Sequence, residues 1–168
     1  TTFSMATGDV TVSAGTKSGT VSDATHSFLS FTDIAASAGV DVGSATQAGV
    51  AAWSDMDNDG YVDVIFHGPA TGGGPRLYLN DGDNTFSASY SFGDLGAYER
   101  SIVLADINND GKRDVFFTLP IMLFENDTGS SFTDITAASQ MINANPEGAA
   151  ALDYDNDGWL DLVHPDGD

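Results

Sequence analysis

Residues 55–63 read DMDNDGYVD, four aspartates in nine positions with a glycine after the third. Residues 106–114 (DINNDGKRD) and 153–161 (DYDNDGWLD) repeat the spacing almost letter for letter. Neighbouring carboxylates repel one another unless positive charge sits between them. Oxygen-only loops of the form D-x-D-x-D-G suit calcium, a hard cation that takes six to eight oxygen ligands at about 2.3–2.6 Å. In the first loop, Asp55, Asp57 and Asp59 would take positions one, three and five. Gly60 would permit the sharp turn, the Tyr61 carbonyl would fill position seven and Asp63 position nine. The third loop maps identically onto Asp153, Asp155, Asp157, the carbonyl of Trp159, and Asp161. In the second, Asp106, Asn108, Asp110, the carbonyl of Lys112 and Asp114 fill the same slots. That loop has one carboxylate fewer and two cations beside it, so it is expected to bind most weakly. The expectation is about three calcium ions.

An EF-hand needs a glutamate at position twelve and flanking helices. Position twelve here is Phe66, Phe117 and His164, and the flanking segments read as strands. Magnesium fits less well, because it gives up its waters reluctantly to an all-protein cage.

The loops start 51 and 47 residues apart, close to one four-stranded β-blade, and other features keep the same phase. FTDIAASAGV begins at Phe31, FTDITAASQM at Phe132 and the looser FSASYSFGD at Phe86, each 20 to 24 residues ahead of its loop. RLYLNDGDNTF and IMLFENDTGSSF look like matching hairpins. Small apolar stretches (GVAAWSD, SIVLAD, GAAALD) precede the loops and β-rich ones (YVDVIF, KRDVFF, WLDLV) follow, so each loop joins two strands. No window sustains a capped helical periodicity, although DIAASAGV and DITAASQM could each form one short turn. Residues 1–30, rich in Thr, Ser, Gly and Ala, lack an Asp loop. There Phe3 and Met5, then Val10 and Val12, alternate with polar residues, which reads as an extended β arm.

With 168 residues and 41% hydrophobic content the chain can bury a core. Twenty-five acidic residues against five basic ones give a formal charge of −20, which argues against nucleic acid as a partner. Cysteine is absent, so no disulfide or Cys-based metal site can form. The most apolar stretch, Val115 to Phe124, is interrupted by Thr118 and Pro120 and is far shorter than the ~20 residues a membrane span needs. It reads as two strands around a turn.

The strand, D-x-[DN]-x-D-G-x-x-D, strand pattern, with FTDI ahead and LYLNDG behind, resembles the FG-GAP or VCBS-type repeat of integrin-α-like β-propellers and many secreted bacterial proteins. The resemblance spans roughly residues 31–168 and implies four-stranded blades with calcium held in a hairpin loop of each. Related propellers carry about six to eight blades, whereas three loops occur here, and the third repeat runs only as far as HPDGD.

Catalytic signatures are weak. His26, His67 and His164 form no HExxH-type pair, no G-x-S-x-G elbow occurs, and TGGGP at 71–75 precedes a strand rather than a helix. Eleven of the 25 acids already belong to the Asp loops. Asn126-Asp127-Thr128 is a glycosylation sequon in an expected turn. Trp53, Tyr61, Tyr154 and Trp159 flank the loops and read as a sugar platform or, more commonly, as packing between blades.

The expected fold is all-β, with about three antiparallel propeller-like blades at 31–168 and an N-terminal arm at 1–30. The expected function is that of an extracellular, calcium-stabilised structural or adhesive protein without enzymatic activity. It extends to a self-assembling fibre subunit, a homo-oligomer or filament in which residues 1–13 donate a strand to the next molecule. The alternatives are a protein- or glycan-binding fragment of a larger propeller and an accessory domain of a secreted enzyme.

Overall fold

The computed structural model describes residues 10–14, 17–21, 32–40, 50–67, 74–95, 101–141 and 148–165. The chain divides into two compact units, Thr1–Ala36 and Ser37–Asp168. In the first unit β1 (Val10–Ala14) pairs antiparallel with β2 (Lys17–Val21), with Val12 opposite Gly19. Val10 and Val12 thus lie on one strand of a local hairpin. Phe3 and Met5 fall outside the described residues.

The second unit is built from the repeat. Strands β3 (Ala51–Ser54), β4 (Asp63–His67), β5 (Pro75–Asn80) and β6 (Phe86–Ser91) form an antiparallel sheet in chain order. Strands β7 (Ile102–Ala105), β8 (Asp114–Thr118), β9 (Ile121–Asn126) and β10 (Phe132–Asp134) form a second sheet in the same order. Strands β11 (Ala150–Leu152) and β12 (Asp161–Val163) pair antiparallel as a third, two-stranded sheet. The Asp loops join β3 to β4, β7 to β8 and β11 to β12, so each stands at the same place in its repeat.

All described regular structure is β, as the sequence implies. The segments after FTDI are turns, at Ala35–Gly39 and Thr136–Gln140, and the second closes with the Ser139 N–H donating to the Ile135 carbonyl at 2.9 Å. The Val115–Phe124 stretch is indeed two strands, reversing at Leu119-Pro120.

Val115, Phe116 and Phe117 can be three apolar residues in a row because β8 is buried along its whole length, between two different cores. Val115 and Phe117 face one cluster, with Met56, Ile65, Leu77, Phe92, Phe124 and Phe132. Phe116, on the opposite face as strand alternation requires, packs with Ile121 and Leu123 against Val103, Ile107 and Leu162. The first cluster joins the first sheet to the second, and the second joins the second sheet to the third repeat. Phe92 is the centre of the first, its ring 5.0–5.2 Å from those of Tyr90, Phe117, Phe124 and Phe132. The Tyr90 hydroxyl donates to the Phe132 carbonyl at 3.1 Å, so even the polar tip of that ring is satisfied.

Candidate metal-binding loops

The three loops share one hydrogen-bond scheme. The first aspartate accepts two backbone N–H groups. Asp55 takes those of Asp59 (3.1 Å) and Gly60 (2.9 Å), Asp106 those of Asp110 (3.0 Å) and Gly111 (2.9 Å), and Asp153 those of Asp157 and Gly158 (both 3.0 Å). Position three, which is Asp57, Asn108 or Asp155, also accepts from position five. Position five accepts the N–H of position seven at 2.8 Å in every loop. The glycine at position six has φ near +90° in all three, a conformation that side chains rarely tolerate, and open space where a Cβ would stand. Backbone strain alone therefore specifies glycine there.

Position nine ties the loop to its sheet. Asp63 is fully buried and accepts the N–H of Met56 at 2.7 Å and of Asn80 at 2.9 Å. Asp114 does the same with Ile107 (3.0 Å) and Asn126 (2.8 Å). Asp161 accepts from Tyr154 at 2.9 Å.

The carboxylates of Asp55, Asp57 and Asp63 each bring an oxygen within 4.8 Å of the others, and Asp153, Asp155 and Asp161 do likewise. Positions one, three and nine therefore converge in the first and third loops. Asp59 and Asp157 cap their own turns, each accepting the N–H two residues on. In the second loop the Asn108 amide donates to Glu125 at 3.0 Å, which leaves its oxygen turned toward the Asp110 N–H. The Lys112 ammonium lies 2.7 Å from Asp110, and this contact holds the Asp110 carboxyl below its ordinary value and raises Lys112. Burial pushes the carboxyls of Asp57, Asp63 and Asp114 up, against the backbone N–H groups that favour their charged forms.

An all-oxygen donor set of three converging carboxylates, as in loops one and three, is the chemistry a hard divalent cation takes, and it offers nothing to a soft one. The residues fit calcium. In loops one and three the carboxyls at positions one, three and nine would hold the ion with the carbonyl of Tyr61 or Trp159, and in loop two Asp106, the Asn108 oxygen and Asp114 would do so with the carbonyl of Lys112.

Residues 55–117 match the family model of the FG-GAP-like repeat. That stretch is similar to an FG-GAP-like repeat. The match begins at the first aspartate of loop one and ends on β8, and the third loop reproduces the same hydrogen bonds outside it. No curated protein matches the chain. A solved structure of an Agrocybe aegerita lectin, described as recognising non-reducing terminal N-acetylglucosamine, is 20% identical with a TM-score of 0.48. The alignment covers 71% of this chain and 34% of that one, so the chain spans about a third of the lectin's length.

The sequence reading missed two kinds of residue. Asn80 and Asn126, each the last residue of its strand, use the backbone N–H for the position-nine aspartate and the side chain for a turn. Asn126 is wholly buried. Its amide nitrogen donates to the carbonyls of Met56 (2.9 Å) and Arg113 (3.0 Å), and its oxygen accepts the Gly129 N–H at 2.6 Å. The sequon asparagine is thus a structural anchor whose amide nitrogen is engaged inside the fold. The shared "N-D" after LYL and LFE was the signal for it. Also missed were the position-four asparagines, Asn58, Asn109 and Asn156, with φ of 61°, 54° and 61°. The repeated N-D-G, at positions four to six, marks that left-handed backbone.

His26 lies outside the described residues, as does the side chain of His67. His164 has a ring nitrogen 3.4 Å from the Pro165 carbonyl. Among the described residues the two aspartate triads are the acid or histidine groups close enough to share a metal. The flanking aromatics point outward: Trp53 is 61% exposed, Tyr61 49%, Tyr154 76% and Trp159 51%. No helix among the described residues is long and apolar enough to cross a membrane.

Proposed function

We propose that the chain is an extracellular, calcium-stiffened β-repeat domain that works by binding and structure rather than by catalysis. The carrying observation is the convergence of three carboxylates at the same positions of two loops that share one hydrogen-bond frame with a third. Repulsion within each triad opposes folding, and an ion at its centre reverses the sign of that contribution. An ion bound only by the folded state stabilises it by about 2.7 kcal/mol per site at a hundredfold excess over Kd. In a chain without cysteine, such ions do the work of disulfides. Calcium modules that operate outside the cell bind at about 10⁻⁴–10⁻³ M, and exposed loops such as these suit that range.

The test is thermal unfolding in millimolar calcium against excess EDTA, with a magnesium arm, and calorimetric titration. A sharp drop in Tm on chelation that magnesium does not repair supports the reading. An unchanged transition removes calcium from it.

The outward aromatics favour a specific form of binding. Tyr154 and Trp159 lie within one loop, and flat exposed rings offer the faces on which sugar rings or apolar side chains stack. A glycan array with the native chain and with Trp159→Ala tests this. Binding that the substitution abolishes supports a carbohydrate ligand, and a blank array leaves a protein partner.

A further inference from the structure

The three loops are linked to one another as well as to their own sheets. The Asn58 amide, in loop one, donates to the Gly111 carbonyl of loop two at 3.2 Å. The Asn109 amide, in loop two, donates to the Gly158 carbonyl of loop three, also at 3.2 Å. Donor and acceptor hold the same two repeat positions in both cases, four in one loop and six in the next. The contact is thus a property of the repeat.

Its consequence lies in the peptide that it grips. The Gly111 carbonyl and the Lys112 N–H belong to one peptide plane. The N–H end donates to Asp110 of its own loop at 2.8 Å, and the carbonyl end accepts from Asn58 of the preceding loop. The plane is pinned at both ends, immediately before the Lys112 carbonyl. The Gly158–Trp159 peptide is held in the same way by Asp157 and Asn109. In loop one the Gly60–Tyr61 peptide has its N–H on Asp59, and no side chain among the described residues donates to the Gly60 carbonyl. Asn58 reaches across only while its own backbone keeps the left-handed turn of loop one.

The geometry points to an asparagine ladder in which each loop positions the next: Asn58 is a positioning residue for loop two, and Asn109 for loop three. Whatever orders loop one orders the donor for loop two, so occupancy of the two loops is coupled, and by linkage the coupling acts in both directions. The ladder stands on the hydrogen bonds alone. Its extension to ion affinity rests on the calcium reading above.

Glycine is the informative substitution, because it removes the side chain and keeps the left-handed backbone without strain. The full 168-residue chain, ¹⁵N-labelled, is compared with Asn58→Gly, Asn109→Gly and Asn156→Gly. Amide exchange with solvent, measured with and without calcium, reads the ladder. Asn58→Gly should speed exchange at Lys112 about threefold or more, the loss expected for one exposed hydrogen bond, and Asn109→Gly should do the same at Trp159. Asn156→Gly, whose amide meets no acceptor among the described residues, should leave Lys112 unchanged. A calcium titration followed at the Gly60, Gly111 and Gly158 amides reads the coupling. Asn58→Gly should raise the midpoint at Gly111 about threefold to tenfold and leave Gly158 nearer its original value. Unchanged exchange at Lys112 and Trp159 in the first two variants would overturn the ladder. Altered exchange with unmoved midpoints would overturn the coupling. Altered exchange in a chain that takes up no calcium would sink the calcium reading and leave the ladder standing.

Discussion

The side-chain amide of Asn126 donates to the carbonyl of Met56, seventy residues earlier in the chain, at 2.9 Å. Met56 is the second residue of loop one, and its own N–H donates to Asp63. Asn126 closes β9, and its N–H donates to Asp114 of loop two. One buried carboxamide therefore joins the frames of two Asp loops. The turn beyond it completes the contact, since a Cβ on Gly129 would collide with the backbone and Cβ of Asp57.

Asn126→Ala should cost about 3 kcal/mol or more, because it strands two carbonyls and one N–H, each worth about 1–3 kcal/mol when unsatisfied. Denaturant unfolding in calcium measures it. The same burial predicts that chain secreted from a glycosylating host carries no glycan at Asn126, and intact mass checks this. A glycosylated, folded product would contradict the anchor role.

The loops should rank by charge. Asp57→Ala and Asp155→Ala each remove a member of a three-carboxylate group, and in calcium both should lower Tm more than Asn108→Ala. Asp110 is already engaged by Lys112, so Lys112→Ala should tighten loop two more than it changes loops one and three. Calorimetric titration should resolve one weak site that strengthens in Lys112→Ala. A second loop that binds tightest in the native chain would reverse the argument.

The three Asp loops, their strands and the sheet class were legible because their signals are local. Period-two alternation, an N-D-G turn and a fixed spacing do not depend on what packs where. The partners of Asn126 were not legible, since the Met56 carbonyl is a neighbour only after two sheets have stacked. For the same reason the sequence could name Asp55, Asp57, Asp59 and Asp63 together yet could not say that Asp63 would be buried between the Met56 and Asn80 N–H groups. Trp53, Tyr61, Tyr154 and Trp159 were read mainly as packing residues. All four are largely exposed, and Trp53 meets only the edge of Phe86 among the ring contacts of the described residues.

Phe92 follows β6 and touches rings from β8, β9 and β10. Phe92→Ala should cost about 3–5 kcal/mol, the usual range for a buried phenylalanine. Phe92→Leu should recover more than half of that, because it refills most of the volume while losing the edge-to-face contacts. Urea midpoints at constant m-value give both numbers. A loss under about 1 kcal/mol for the alanine variant would mean that the two sheets do not share this core.

Proton linkage should change sign with calcium. Asp57, Asp63 and Asp114 titrate above the ordinary aspartate value of 3.8, chiefly because burial penalises the charged form. In the pH range just above 3.8 the metal-free folded chain thus keeps protons that the unfolded chain has released, and stability falls as pH rises through that range. The penalty is absent below 3.8 and complete above the raised values. Metal-free protein should therefore gain Tm as pH is lowered through the raised values toward 3.8. General relief of the chain's net negative charge acts in the same direction, so Asp63→Asn, which cannot ionise, separates the two by giving a shallower slope. Bound calcium requires these groups deprotonated. In saturating calcium their carboxyls are driven down, stability is present at neutral pH, and acidification should lower Tm by expelling the ions. Slopes of the same sign in EDTA and in calcium would show that the buried aspartates and the ion do not share a site.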